Sequence, residues 1–201
     1  MAEQVLEQLF DSPVKVKLLK LFLRNPEKYF LMQDVIARTQ ASERIVKRQV
    51  KGLHSIGFLR IKNLRGSASH GTKPGIYFGV NPNFDFYAEL QTLVLKSSST
   101  SKSKMAKRLS KVGRIKMALI SRVLLNSELG RVDLFLVGDD FRERRLQKFL
   151  AELESEVGKE IQYAFMETKE FEYRYQMFDR FVRDIFEKPH EKLINKLGFV
   201  E

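Results

Sequence analysis

Apolar residues recur at helical spacing through the first half of the chain. Val5, Leu6, Leu9 and Phe10 predict a helix over residues 2–10. Ser12 is a suitable N-cap and Pro13 a suitable first helical residue, and Val16, Leu18, Leu19, Leu21 and Phe22 carry that helix to about Arg24. Asn25-Pro26 ends it, because the proline ring disfavours helical geometry in the residue before it. Tyr29-Phe30-Leu31 reads as a short extended stretch, and residues 32–39 as a short helix with Val35 and Ile36 inward. After the turn Gln40-Ala41, Ser42 caps a helix with Ile45, Val46, Val50 and Leu53 on one face and Arg44, Lys47, Arg48 and Lys51 on the other. Gly57 closes it. Extended segments over 58–63 and 75–80 flank a polar loop with Arg65, Gly66, His70, Gly71 and Lys73, which predicts a hairpin with a long tip. Asn81-Pro82 breaks the pattern, and residues 84–95 read as one more amphipathic helix.

The pattern then changes. Residues 96–104 are low in complexity and hold too little apolar surface for a core, so 96–111 is expected to be a basic Ser/Lys linker. The apolar runs 115–125 and 132–137 are short enough for buried strands. Gly138-Asp139-Asp140 opens a helix to about Val157 with Leu146, Phe149, Leu150 and Leu153 inward, and residues 161–166 predict a third strand. Thr168 caps a long helix with Phe171, Tyr175, Phe178, Val182, Ile185 and Phe186 on one side, stopped by Pro189. Strands alternating with helices predict a small α/β domain over 112–201.

Composition narrows the class. At 201 residues with 43% hydrophobic content, the chain can bury one large core or two small ones. The sequence holds no cysteine, which excludes disulfides and thiolate metal sites and suits a cytoplasmic location. Met1-Ala2-Glu3-Gln4 has no basic and apolar leader pattern, so no secretory signal is expected, and no apolar run is long enough for a membrane span. The net charge of +11 is unevenly spread. Residues 1–95 hold 14 basic and 8 acidic residues, residues 96–116 hold 8 basic and none acidic, and the rest holds 14 basic and 17 acidic. A positive field of that kind favours a polyanion, since each phosphate neutralised releases condensed counterions.

The order helix, helix, turn, helix, hairpin over residues 1–95 resembles a winged helix-turn-helix domain. Three stretches carry a closer likeness: Asp34-Val35-Ile36-Ala37-Arg38, the run from Ser42 to Leu53, and Ile56-Gly57-Phe58-Leu59. Over residues 12–95 these are similar to ArsR/MarR-like regulators. The resemblance implies double-stranded DNA as partner, with residues 42–56 as recognition helix in the major groove and residues 58–80 as wing on the flank. It places Ser42, Arg44, Lys47, Arg48 and Lys51 of the helix and Arg65, His70 and Lys73 of the wing at the DNA.

The second half resembles a nucleotidyltransferase domain without its active site. Ala118-Leu119-Ile120-Ser121-Arg122 stands where that family has a Gly-Ser turn, and the run from Gly130 to Asp139 where it has a strand with two metal-binding aspartates. Asp133 matches the second ligand, Arg131 stands in place of the first, and 161–164 offers no third carboxylate. The expectation is an α+β winged helix-turn-helix domain followed by a degenerate α/β nucleotidyltransferase-like domain. It has no catalytic residues, metal or cofactor, and it acts as a sequence-specific transcriptional regulator. Asp133 is expected to pair with Arg131, and the stripe from Phe171 to Ile185 to join two copies into a homodimer. An active nucleotidyltransferase guided by a winged helix, and a protein-interaction scaffold, remain open at this point.

Overall fold

Ser12 starts the first long helix in the way its sequence position requires. Its backbone is extended, its hydroxyl accepts the Lys15 N–H at 3.2 Å, and Pro13 follows at the first helical position. The computed structural model describes residues 2–64, 73–96, 102–127 and 129–198. It has mixed helix and strand with two small sheets. Two units share the chain, Met1–Ser98 with Glu154–Lys159, and Ser99–Leu153 with Glu160–Glu201. No helix among the described residues is long and apolar enough to cross a membrane.

In the first unit the elements run α1 (Ala2–Leu9), α2 (Pro13–Leu23), β1 (Phe30–Leu31), α3 (Met32–Thr39), α4 (Glu43–Ser55), β2 (Leu59–Leu64), β3 (Gly75–Val80) and α5 (Tyr87–Lys96). The sheet order is β1-β3-β2, antiparallel throughout. In β2 and β3, Leu59 pairs with Val80 and Leu64 with Gly75. α3 and α4 both pack on α2, and their shared core holds Phe22, Val35, Val46, Val50, Leu53 and Phe58. Phe30 meets Phe22 edge-on at 6.0 Å, and Phe84 meets Phe58 at 5.6 Å. Gln40 adopts a left-handed conformation at φ 50 and turns the chain from α3 towards α4. Gly57, at φ +81, ends α4, where the Phe58 N–H reaches back to the Leu53 carbonyl at 3.1 Å.

In the second unit α6 (Lys102–Leu109) precedes β4 (Arg114–Ser121), a 3-10 turn (Arg122–Leu125), β5 (Leu134–Asp139), α7 (Glu143–Val157), β6 (Tyr163–Met166), α8 (Thr168–Gln176), α9 (Arg180–Glu187) and β7 (His190–Asn195). The sheet order is β6-β5-β4-β7, with β5 and β6 parallel and the other pairs antiparallel. Phe135 packs between Phe171 and Phe181, at ring distances of 6.1 and 6.2 Å. Gly138 is required where β4 passes β5, because a Cβ there would lie 2.4 Å from the Arg114 carbonyl oxygen.

Several expectations are corrected. Residues 102–109 form a helix, not part of a linker, because Met105 and Leu109 stand one turn apart and both are buried. Residues 97–101 of the expected linker lie outside the described residues. The run 115–125 stops being a strand at Ser121, after which Arg122 takes φ 48. The next strand begins at Leu134 and runs to Asp139, so α7 starts at Glu143. The expected helix from Thr168 to Phe186 is two helices. Phe178 is left-handed at φ 53, and the Asp179 carboxylate caps the second helix by accepting the Phe181 and Val182 N–H groups at 3.0 and 3.1 Å. The stripe expected to join two copies is divided accordingly. Phe171, Val182 and Ile185 belong to the unit's own core, while Tyr175 and Phe178 are exposed.

Candidate nucleic-acid interface

α4 owes its orientation to three side chains. Val46, Val50 and Leu53 recur on one face and are buried, each removal from water stabilising the unit by about 1.5–3 kcal/mol. Ile45, expected inward, is 37% exposed and lies at the rim of that face. Gln49, at the middle of the helix, ties it to the start of α2 by donating to the Ser12 hydroxyl at 3.3 Å.

The opposite face follows from the same geometry. Arg44, Lys47, Arg48 and Lys51 stand at i, i+3, i+4 and i+7, so docking the apolar stripe turns all four outward together, and all four are exposed. The row covers roughly 10 Å of helix axis at 1.5 Å per residue. Lys47 is paired with Glu43 at 2.6 Å, one turn earlier. The hydrogen bond from the Lys47 ammonium, with its charge, holds the Glu43 carboxyl below the usual carboxylate range, so Glu43 is ionised at neutral pH. The stripe therefore presents two arginines and one lysine without an ion pair among the described residues and a second lysine paired with Glu43.

Ser42 is exposed and occupies the N-cap position of α4, but its hydroxyl makes no capping hydrogen bond. The helix instead begins on its carbonyl, which accepts the Ile45 and Val46 N–H groups, each at 3.0 Å.

On the hairpin, Lys73 is exposed and its carbonyl accepts the Tyr77 hydroxyl at 2.8 Å. Arg65 and His70 lie outside the described residues. Two cations that the sequence reading passed over stand on β2. Arg60 pairs across the ladder with Gly79 and Lys62 with Tyr77, so both project from one face of the hairpin, and both are exposed. Lys62 sits over the Tyr29 ring at 5.5 Å, and the same ring fills the space that a Cβ at Gly79 would occupy, 2.8 Å away. Their spacing of two within a predicted strand was the available signal.

This set can meet phosphates with lysine and bridge paired acceptors on a base edge with arginine. In the second unit, Asp133 is 1% exposed and each of its carboxylate oxygens has a backbone partner. One oxygen accepts the Val123 N–H at 3.1 Å and the other the Gln162 N–H at 2.8 Å, with the Arg122 guanidinium 3.9 Å away. Arg131 does not pair with it as expected, but with Asp184 at 2.5 Å. No cluster of three or more His, Asp or Glu suited to a metal ion occurs among the described residues. Compared with known families, curated proteins and solved structures, the chain matches none.

Proposed function

We propose that this chain is a sequence-specific, double-stranded DNA-binding transcriptional regulator whose first unit is a winged helix-turn-helix. α4 enters the major groove and the β2–β3 hairpin lies on its flank. The observation that carries this reading is the division of α4 into a buried stripe of Val46, Val50 and Leu53 and an opposite exposed stripe of Arg44, Lys47, Arg48 and Lys51. α3 supports α4 from behind, as a reading helix requires. Arg60, Lys62 and Lys73 supply the hairpin with cations for flanking phosphates. We place the protein in the cytoplasm as a homodimer, since two linked copies gain affinity on a two-fold site. The exposed Val5 and Leu9 of α1 support such pairing. The second unit assembles or senses and does not transfer nucleotides, because Asp133 is buried with each oxygen already accepting a backbone N–H group, and Arg131 stands where a second carboxylate would be needed for a metal ion.

The test is selection of bound duplexes from a random pool by the full chain, followed by titration of the winning sequence at several salt concentrations. An enriched sequence is expected, together with a slope of log K against log salt of about −4 to −5 per protomer if four to six phosphates are met. No enrichment, or affinity indifferent to salt, would remove the reading.

Gly52 gives a smaller prediction. It lies inside α4, where glycine costs stability, yet a Cβ there would meet nothing within 4 Å. Gly52→Ala should raise the stability of the protein by about 0.5–1 kcal/mol in urea titrations. If the glycine serves close approach to the groove wall, the same change weakens DNA binding. A stabilised variant with unaltered DNA affinity would show that the helix does not pass close to the duplex on that flank.

A further inference from the structure

The second unit has a concave, strongly basic surface that the α4 reading does not use. Two adjoining cavities, of about 360 and 250 Å³, lie between α6, the start of β4 and the first turns of α7, and Lys111 and Arg145 belong to both walls. Six cations line them: Arg108, Lys111, Arg114, Arg142, Arg145 and Lys148. Two carboxylates oppose them, Glu152 paired with Arg108 at 2.9 Å and Asp140 paired with Arg114 at 2.5 Å. Lys111, Arg142, Arg145 and Lys148 carry no ion pair among the described residues.

Such a wall is costly without an anionic partner. Like charges three residues apart on a helix repel one another. The positive end of the α7 dipole adds to the cost, since that end favours anions, and only Glu143 answers it from the first turn. The arrangement is nonetheless fixed in place. The Arg145 guanidinium donates to the Lys111 carbonyl at 3.0 Å, and Arg108 lies over the Phe149 ring at 5.3 Å. A local electrostatic rule broken with only partial internal compensation marks a place suited to a ligand.

Dimensions identify the ligand class. From Arg142 to Lys148 the chain rises roughly 9 Å along α7 at 1.5 Å per residue. Consecutive phosphates of one strand rise about 3.4 Å along the duplex axis and stand further apart than that through space, so this row matches about two of them. A single inorganic phosphate would leave most of it unmatched. We propose that this cleft is a second DNA-binding site, separate from the α4 stripe, which grips the phosphate backbone of one strand without reading its bases. Two of its four arginines are held by carboxylates, Arg108 by Glu152 and Arg114 by Asp140, and the Arg145 guanidinium donates to the Lys111 carbonyl, so the cleft offers its charge to phosphates.

The experiment uses the full chain and a labelled mixed-sequence duplex in fluorescence anisotropy. Replacing Arg44, Lys47, Arg48 and Lys51 by alanine together disables the α4 stripe, and salt-sensitive binding is expected to persist in that variant. Adding Lys111→Glu, Arg142→Glu and Lys148→Glu should then weaken binding about 10-fold or more at low salt and reduce the salt slope by about 2–3. Conversely, Asp140→Asn with Glu152→Gln should strengthen binding about 2- to 5-fold by removing the opposing charges. The gain decides the question if the charge-reversed variant fails to fold. Pyrophosphate should displace the duplex no better than sulfate at equal ionic strength. Unchanged binding on charge reversal, absence of the gain, or selective displacement by pyrophosphate would each overturn the proposal. If only the α4 reading is wrong, the alanine variant binds like the wild type and the cleft variants still respond.

Discussion

Arg44→Ala combined with Arg48→Ala is expected to abolish sequence preference while leaving general DNA affinity largely in place. Both side chains stand on the exposed stripe of α4, one turn apart, opposite the buried Val46, Val50 and Leu53. An arginine that bridges two acceptors on a guanine edge contributes about 1–3 kcal/mol of discrimination, so the pair together carries about 2–6 kcal/mol at the preferred site. A scrambled duplex holds the same phosphates but lacks the matching base edges, and the double variant should lose far less affinity for it. Lys73→Ala serves as the contrast, because a hairpin lysine meeting phosphate weakens specific and scrambled duplexes alike. Both arginines are exposed and neither has an ion pair among the described residues, so fold stability should change little. The comparison is the ratio of affinities for the selected and scrambled duplexes. A double variant that keeps the wild-type ratio would show that α4 is not the reading helix.

The first unit was legible because its signals are local and redundant. Ser12-Pro13, Asn25-Pro26 and Gly57 each mark a helix end by backbone chemistry alone, and the α4 periodicity separates a buried stripe from a charged one. Ile45 was misplaced because it is apolar and adjacent to Val46, whereas the buried arc is only wide enough for Val46, Val50 and Leu53. The second unit was legible in outline only. α6 has only Met105, Ala106 and Leu109 among four basic residues and a serine, so composition hides a helix that burial of Met105 and Leu109 supports. β7 reads His-Glu-Lys-Leu-Ile-Asn, with adjacent apolar residues that fit neither a period of two nor a helical stripe, and its pairing with β4 defines it. The α8–α9 break turns on Asp179, whose capping role competes with an apolar stripe that continues through it in sequence. The basic cleft is not legible in the sequence for a different reason. Its cations come from α6, the segment before β4 and α7, and only the tertiary fold gathers them on one wall.

Asp133→Ala is expected to destabilise the second unit by about 3 kcal/mol or more, the largest stability change among the substitutions considered. Asp133 lies just before β5, and its two oxygens hold two separate segments, the 3-10 turn through Val123 and the approach to β6 through Gln162. The Asp133 N–H also donates to the Gln162 carbonyl at 2.6 Å, and its carbonyl accepts the Ser121 N–H at 2.9 Å, so the side chain completes a junction already begun by backbone. Alanine leaves two N–H groups without their acceptor, at about 1–3 kcal/mol for each one that stays shielded from water. It also removes the carboxylate 3.9 Å from Arg122, which keeps its bond to the Gln162 side chain at 2.7 Å. Asparagine keeps one accepting oxygen but turns an amide N–H towards the other donor, so Asp133→Asn should cost less, about 1–2 kcal/mol. For a unit of this size, about 3 kcal/mol corresponds to a fall of roughly 12 °C or more in its melting transition. Calorimetry of the full chain should show that fall in alanine, a smaller one in asparagine, and the same transition with and without Mg²⁺ in the wild type. A carboxylate kept for a metal ion behaves in the opposite way. Its removal relieves buried charge at little cost to the apo protein, while Mg²⁺ raises the wild-type transition by binding only the folded state. That pattern, or nucleotide transfer abolished by Asp133→Asn, would return Asp133 to catalysis.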